Sequence, residues 1–315
     1  MELQKLRTLV ITGAGLMGAS MAQQFAGAGY PVTLYDISQQ ALVKGRRLIA
    51  LNQSQAVESG ASTPAQAEAL QGRIAYTTDK ACFGRCQLVV ESIVEDMDVK
   101  QAFWREVSAL TPPDCVLATN TSGLSITAIA TAVQNPGRFV GMHWFNPAHL
   151  IPLVEVISGQ ETAPETAEFI YALAESIGKK PIRVQKDAPG FIANRLQLAI
   201  LREALHIAES GIGSIEDVDR CMKYGLGLRY ACLGPFEVCD LGGLDTFYHI
   251  AQYLFGDLSN ASQPTPLLAD LYQSGAYGVK TGRGFYDYPD GKAQAAVKER
   301  DRLFLKAKGI LDGED

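Results

Sequence analysis

The chain has 315 residues, of which 47% are hydrophobic and 20% are charged, and its net charge at pH 7 is −6. This length suits two domains, and the composition is that of a soluble globular protein. The acidic balance and the absence of a basic block argue against nucleic acid as a partner. No apolar run is long enough to cross a bilayer, which argues against a membrane protein.

The N-terminal segment Met1–Arg7 is polar and leads directly into a predicted strand. It carries no signal or transit peptide pattern, so we expect a cytoplasmic protein. The six cysteines show no paired spacing and are expected to be free thiols, and their arrangement favours no metal site.

A glycine-rich turn follows the first predicted strand, Leu9–Thr12. The turn and the start of the next helix read Gly13, Ala14, Gly15, Leu16, Met17 and Gly18, and a second strand, Val32–Tyr35, ends at Asp36. This order is typical of a dinucleotide-binding unit, in which the turn and the helix N-terminus hold the pyrophosphate. A carboxylate at Asp36 can accept hydrogen bonds from ribose hydroxyls and would repel a 2′-phosphate, which favours NAD over NADP.

Predicted strands and helices alternate up to about residue 187. Further strands are expected at 74–77, 88–91, 116–118, 139–142, 154–157 and 182–185, with helices at 41–58, 99–110 and 166–177 and a loop at 59–65. This alternation predicts an α/β fold with a doubly wound, Rossmann-like sheet over residues 1–187. A long amphipathic helix at 191–210 and few later strand signals predict a mainly helical second domain over residues 188–315.

Polar residues lie at three of these strands. Asn120, Thr121 and Ser122 follow one strand, His143 follows another, and Glu155 interrupts an apolar strand. Ligands of open α/β sheets bind beyond the carboxyl ends of the strands. A carboxylate can hold one ring nitrogen of a histidine while the other takes a substrate proton. His143 and Glu155 are therefore candidates for the base of an alcohol oxidation, although a structural role for His143 stays open.

Six motifs together resemble those of the NAD-dependent L-3-hydroxyacyl-CoA dehydrogenases. They are Gly13–Gly18 with Asp36, Asn120–Ser122, Gly141–Pro147, Leu153–Val156, Asp187–Arg195 and Lys280–Tyr286. They occur in family order and spacing and cover nearly the whole chain. The resemblance implies a Rossmann-like domain, a helical domain that forms a homodimer, NAD as cofactor and a small-molecule substrate.

The resemblance also implies residue roles. His143 is then the base and Glu155 its orienting partner, while Ser122 and Asn194 contact the reacting oxygen. The residues expected to line the cofactor site, besides the glycine turn and Asp36, are Glu95, Lys100, Ser122, Asn146 and Lys280.

Two segments depart from the acyl-CoA pattern. The positions near Asn52 and Ser59, where CoA-specific members carry residues at the nucleotide end of CoA, are not cationic. The segment Gly227–Pro235 is more similar to the lambda-crystallin/L-gulonate dehydrogenase branch. In that setting Arg229 could bind a substrate carboxylate, or it could form a structural ion pair.

Three functions remain open from the sequence. The first is NAD-dependent oxidation of a short 3-hydroxyacyl-CoA to the 3-keto product, which the acyl-CoA-type motif Lys280–Tyr286 favours. The second is oxidation of a free 3-hydroxy acid, such as L-gulonate or a carnitine-like compound. The third is a crystallin-like NAD-binding protein without turnover, which the intact pair of His143 and Glu155 argues against.

Overall fold

The computed structural model describes residues 3–312, and the strands within this range form one eight-stranded sheet. The strands are β1 Leu9–Thr12, β2 Val32–Tyr35, β3 Ile74–Thr77, β4 Leu88–Glu91, β5 Val116–Thr119, β6 Phe139–Trp144, β7 Leu153–Ile157 and β8 Lys180–Val184. Their order across the sheet is β3-β2-β1-β4-β5-β6-β7-β8. Neighbours run parallel except β6 and β7, which pair antiparallel. The predicted mostly parallel, doubly wound sheet is confirmed.

Helices cover both faces of this sheet. Successive strand residues point to opposite faces, and both sets are apolar, so both faces must be covered. The helices of this part are α1 Leu16–Gly27, α2 Gln39–Glu58, α3 Pro64–Gly72, α4 Met97–Leu110, α5 Ile126–Ala130 and α6 Pro164–Ser176. On one face Ile11 of β1 belongs to a core with Phe25 and Phe169, and on the other Val10 belongs to a core with Trp104. Every residue of β1, β4, β5 and β6 is buried, as expected for strands covered on two sides.

Several predicted boundaries differ from the structure by a few residues. The strand expected at 139–142 extends to Trp144, so His143 lies inside β6 rather than after it. The loop expected at 59–65 is shorter, because Thr63 and Gln66 form a capping box that starts α3 at Pro64. The helix expected from residue 191 begins at Ala193, because the residues just before it adopt left-handed backbone conformations.

The chain divides into two compact units between Arg195 and Leu196, inside the first helix of the helical region. The helices of that region are α7 Ala193–Glu209, α8 Ile215–Cys221, α9 Gly227–Cys232, α10 Pro235–Gly242, α11 Leu244–Leu254, α12 Pro266–Gln273 and α13 Lys292–Asp312, with a π-helical turn at Met222–Leu226. Up to residue 312, the β structure of this unit consists of two isolated bridges around Arg283. The predicted mainly helical character is confirmed. Among the described helices, none combines the length and hydropathy needed to span a membrane.

Candidate active site

The glycine turn is shaped for close approach of a ligand to the backbone. Gly13 has a φ of +87°, and a Cβ there would lie 2.3 Å from the carbonyl oxygen of Ser92. A Cβ at Gly18 would lie 1.8 Å from the carbonyl oxygen of Gly13, so this glycine lets α1 pack against the turn. A Cβ at Gly15 would meet open space, which marks the side from which a ligand approaches.

The N-terminus of α1 is available to an anion. Helix α1 begins at Leu16 and Met17, and within residues 3–312 no side chain caps it. The first N–H groups of a helix lack intrahelical acceptors, and the helix dipole favours negative charge at this end. The residues present therefore fit the pyrophosphate of NAD.

Asp36 is held rigidly at the end of β2. Its Oδ2 accepts a hydrogen bond from the backbone N–H of Ala14 at 2.8 Å, and its Oδ1 accepts one from Ser38 at 2.8 Å. A carboxylate has about four acceptor sites, so both oxygens can still accept from ribose hydroxyls. The carboxylate is thus fixed beside the glycine turn, as the sequence predicts.

His143 and Glu155 form a buried pair. They are directly opposite each other in the antiparallel register of β6 and β7, and His143 Nδ1 lies 2.7 Å from Glu155 Oε2. His143 is 4% exposed and Glu155 is fully buried. The reversal of β7 produces this pair, because it places the first half of β7 beside the last half of β6.

Glu155 also holds the segment that leads into α7. Its second oxygen, Oε1, accepts hydrogen bonds from the backbone N–H groups of Ile192 and Ala193, each at 2.9 Å. Burial raises the pKa of Glu155, but the hydrogen bonds from His143, Ala193 and Ile192 outweigh it and leave the pKa below its ordinary value. Since an ionised carboxylate only accepts, Nδ1 of His143 must donate to it, and in the neutral imidazole Nε2 is then the acceptor.

Two left-handed residues turn this segment towards Glu155. Gly190 has a φ of +76° and Phe191 a φ of +51°, which is uncommon for a bulky residue. Phe191 is buried, and its ring centroid lies 5.8 Å from that of His143. The ring of Phe145 lies closer, at 4.4 Å. The strained turn therefore does two things. It directs the N–H groups of Ile192 and Ala193 towards the Glu155 carboxylate, and it places the Phe191 ring near the imidazole of His143.

Ser122 and Asn194, predicted to contact the reacting oxygen, are brought together. The side-chain amide of Asn194 donates to the carbonyl oxygen of Ser122 at 2.7 Å. Glu95 Oε1 accepts from the N–H of Ser122 and from the hydroxyl of Thr121, both at 2.7 Å. Ser122 itself is exposed, so its hydroxyl can reach a ligand.

Lys100 is buried rather than presented to solvent. Its Nζ lies 2.5 Å from Glu91 Oε1 and 3.5 Å from Glu95 Oε2. Glu91, the last residue of β4, was not identified from the sequence. It carries the same signal as Glu155, a carboxylate in an otherwise apolar strand, which is costly unless it is paired.

Asn120 ties the ends of three strands together. Its side-chain oxygen accepts from the N–H of Trp144 at 2.7 Å, and its amide donates to Ser92 Oγ at 3.2 Å. Asn146 is exposed just beyond β6. Within residues 3–312 no group of three or more His, Cys, Asp and Glu side chains could hold a metal ion.

The remaining predicted residues lie in the helical unit or on α2. Lys280 and Arg229 are both exposed, and within the described chain Arg229 has no ion-pair partner within 4.0 Å. On α2, the Asn52 amide donates to Gln23 at 3.1 Å, and Ser59 is the residue immediately after the helix.

Comparison with known proteins identifies one family over most of the chain. The NAD binding domain of 3-hydroxyacyl-CoA dehydrogenase matches residues 8–188, and the C-terminal domain of the same family matches residues 190–288. The probable 3-hydroxybutyryl-CoA dehydrogenase of Deinococcus radiodurans is 39% identical over 279 residues, which are 88% of this chain and 99% of that protein.

A second relative matches over a longer stretch. The 5-formyl-3-hydroxy-2-methylpyridine 4-carboxylate 5-dehydrogenase of Mesorhizobium japonicum is 34% identical over 311 residues, which are 98% of this chain and 100% of that protein. A crystal structure of an enzyme of this activity, described as an NAD+ dependent dismutase, has a TM-score of 0.91 with 34% identity and covers 98% of this chain and 100% of that one. The M. tuberculosis FadB2 structure has a TM-score of 0.77 with 35% identity and covers 90% of this chain and 99% of that one. The chain belongs to the 3-hydroxyacyl-CoA dehydrogenase family of NAD-dependent oxidoreductases.

Proposed function

We propose that this enzyme oxidises the 3-hydroxyl group of a short 3-hydroxyacyl-CoA, of the 3-hydroxybutyryl-CoA type, to the 3-keto product. The observation that carries this proposal is the buried pair of His143 Nδ1 and Glu155 Oε2 at 2.7 Å. This hydrogen bond leaves Nε2 of His143 as the base, and His143 lies on a strand of the same sheet that the glycine turn follows. The likeness to 3-hydroxybutyryl-CoA dehydrogenases over about nine-tenths of the chain supports this substrate class.

The proposed chemistry divides between the cofactor and the side chains. NAD, when bound, would supply the acceptor for the hydride that leaves the substrate carbon. His143 Nε2 takes the hydroxyl proton, and the charge of Glu155 stabilises the imidazolium that results. Ser122 and Asn194 hold the reacting oxygen, and their mutual hydrogen bond keeps them at a fixed distance from each other.

The proposed roles of the cofactor-site residues follow their positions. Asp36 is expected to bind the adenosine ribose and to reject a 2′-phosphate, since its carboxylate is fixed by two backbone N–H groups. Asn146 and Lys280 are exposed, and we propose that they contact NAD as the family resemblance implies. Lys100 is expected to act on the cofactor site only through Glu95, because it is buried.

We propose that the helical domain, residues 188–315, carries substrate binding and homodimer formation. Large apolar side chains are exposed on it, among them Tyr224, Phe236, Leu241 and Phe255, each more than 70% exposed. Contiguous patches of exposed apolar side chains are typical of subunit interfaces, and we propose that these residues contribute to one. Light scattering of the purified protein tests this point, and a monomer at micromolar concentration would contradict it.

A second substrate class, a small free carboxylic acid, is favoured by separate observations. The pyridine carboxylate dehydrogenase matches this chain through the region beyond residue 288, where the family match ends. Arg229 is exposed without an ion-pair partner among the described residues, so its guanidinium could bind a carboxylate. Neither Asn52 on α2 nor Ser59 just after it offers a positive charge to the 3′-phosphate of CoA.

One set of assays separates the two classes. NADH formation is measured with 3-hydroxybutyryl-CoA, with L-gulonate and with a hydroxymethylpyridine carboxylate, for the wild type and for Arg229→Ala. We expect turnover of the thioester, with little change in Arg229→Ala. Turnover of a free acid alone, lost in Arg229→Ala, would replace the thioester proposal with the second class. Failure of all three substrates would contradict both.

A further inference from the structure

A buried chain of charges starts at the end of β4. Glu91 is fully buried, and the groups that the described residues turn towards its carboxylate are all donors. Its Oε1 accepts from the N–H of Ile93 at 2.8 Å and from Lys100 Nζ at 2.5 Å. Its Oε2 accepts from the Thr119 hydroxyl at 2.6 Å and from the Trp104 indole at 3.3 Å. Such a carboxylate is held in one orientation.

Lys100 extends this chain to the loop after β5. Its side chain is 1% exposed, and its Nζ lies 3.5 Å from Glu95 Oε2. The other oxygen of Glu95 accepts the hydroxyl of Thr121 and the N–H of Ser122. Glu95 is 41% exposed, and Lys100 supplies the positive charge that, together with the hydrogen bonds from Thr121 and Ser122, keeps its carboxylate turned inwards.

We infer that Glu91 is a positioning residue of the reaction: it holds Lys100, Lys100 holds Glu95, and Glu95 fixes the backbone of Ser122. The inference rests on the proposed function, in which Ser122 contacts the reacting oxygen. A buried ammonium needs a full counter-charge, because burial strongly disfavours an unpaired ion. If Glu91 is neutral, Lys100 takes Glu95 as its only anion and pulls it away from Ser122.

The variant Glu91→Gln tests this with almost no change in shape. The amide oxygen can keep the bonds to Ile93 and Lys100, and the amide NH₂ can donate to the Thr119 hydroxyl, which is able to accept. The long hydrogen bond from the Trp104 indole is lost, as it also is in Trp104→Phe. A misplacement of about 1 Å at a reacting group costs on the order of 10²-fold, so we expect kcat to fall by about 10- to 100-fold. We also expect faster hydrogen exchange at residues 120–124.

Trp104→Phe is the matched control. It removes another donor to the same carboxylate and loosens the same core, but it leaves Lys100 and Glu95 in place. We expect its melting temperature to fall while kcat and the exchange of residues 120–124 stay near the wild type. Equal losses of kcat in Glu91→Gln and Trp104→Phe at matched melting temperatures would overturn the inference. The ion pair of Glu91 and Lys100 would then affect kcat only through the stability of the fold.

A double variant decides the question if Glu91→Gln does not fold. Glu91→Gln combined with Lys100→Met leaves no unpaired buried charge, a replacement that proteins often tolerate. The inference expects lowered kcat and faster exchange at residues 120–124 in the double variant too, and wild-type values for both would refute it. Absence of turnover in the wild type would contradict the proposed function alone, since hydrogen exchange still measures whether Glu91 fixes Ser122.

Discussion

The proton on Nδ1 of His143 depends on Glu155, and Glu155→Gln tests this by replacing one carboxylate oxygen with NH₂. The groups bonded to the carboxylate among the described residues are all donors: the N–H groups of Ile192 and Ala193, and His143 Nδ1. A glutamine offers one acceptor oxygen and one NH₂ group. Its oxygen is expected to face the two N–H groups, which leaves the NH₂ against the imidazole.

The imidazole must then change its tautomer. Nδ1 becomes the acceptor of the glutamine NH₂, so the ring proton moves to Nε2, the atom that should take the substrate proton. A tautomer change of this kind costs about 10⁴-fold in kcat in serine proteases, and general-base catalysis is worth about 10²- to 10⁴-fold. We therefore expect Glu155→Gln to lower kcat by about 10³- to 10⁴-fold. The bonds to Ile192 and Ala193 survive in weakened form, so the unfolding free energy should fall by only about 1 to 2 kcal/mol.

The assay is the rate of NADH formation at saturating NAD and substrate, together with thermal unfolding and an NADH fluorescence titration. NADH affinity should stay near the wild type, because the change removes no contact proposed for the cofactor. Asp187→Asn is the matched control, since this carboxylate caps the start of α5 through Ser125, Ile126 and Thr127. It should lose stability while keeping kcat. A kcat of Glu155→Gln within about tenfold of the wild type would refute the tautomer argument.

Three further predictions follow from the same geometry. His143→Ala should lower kcat by about 10²- to 10⁴-fold and leave NADH affinity nearly unchanged in a fluorescence titration, and a near-normal kcat would remove its assignment as the base. The kcat/KM ratio should favour NAD over NADP by about 10²-fold or more, since a 2′-phosphate would meet the fixed carboxylate of Asp36, and Asp36→Ala should narrow that ratio; equal efficiency with NADP in the wild type would contradict this. Burial alone would raise the pKa of Asp187, but the hydrogen bonds from Ser125, Thr127 and Ile126 outweigh burial and leave this pKa below its ordinary value. Its stabilising contribution is therefore complete above its ordinary pKa of 3.8 and is lost as the pH falls through the lower folded value. Denaturant titrations should accordingly show Asp187→Asn about 1.5 to 3 kcal/mol less stable at pH 7, with the difference shrinking below about pH 4, and a constant difference would contradict the assignment.

The strands of the first unit could be predicted closely, because buried parallel strands are continuous apolar runs between turn residues. The ranges Leu9–Thr12, Val32–Tyr35, Ile74–Thr77 and Leu88–Glu91 agree with the structure at both ends. The glycine turn could be predicted for an equally local reason. A positive φ at Gly13 and the close backbone contact at Gly18 require glycine at these positions. The start of α3 was also readable, because Thr63 and Gln66 have capping-box spacing, but the polar composition around it favoured a loop.

Strand direction and long-range contacts could not be predicted in the same way. Nothing in the residues of β7 specifies that it runs antiparallel to β6, because direction is set by pairing and by the connection between the strands. The hydrogen bonds of Ile192 and Ala193 to Glu155 span 37 and 38 residues and depend on the left-handed turn at Phe191. Gly190 favours a left-handed conformation locally, but Phe191 does not, and it is the packing of the buried Phe191 ring that accompanies its conformation.

Glu91 and Glu155 show how one sequence signal leads to two kinds of chemistry. Each carboxylate is fully buried in an apolar strand, and each is surrounded by hydrogen-bond donors. Glu91 faces Lys100, whose ammonium group only donates hydrogen bonds and has no acceptor for a substrate proton, so the pair holds its neighbours in place. Glu155 faces His143, whose two ring nitrogens can serve one as a donor and the other as an acceptor, so that pair can take up a substrate proton. The partner, not the carboxylate, therefore decides which pair positions a loop and which can carry a proton during turnover.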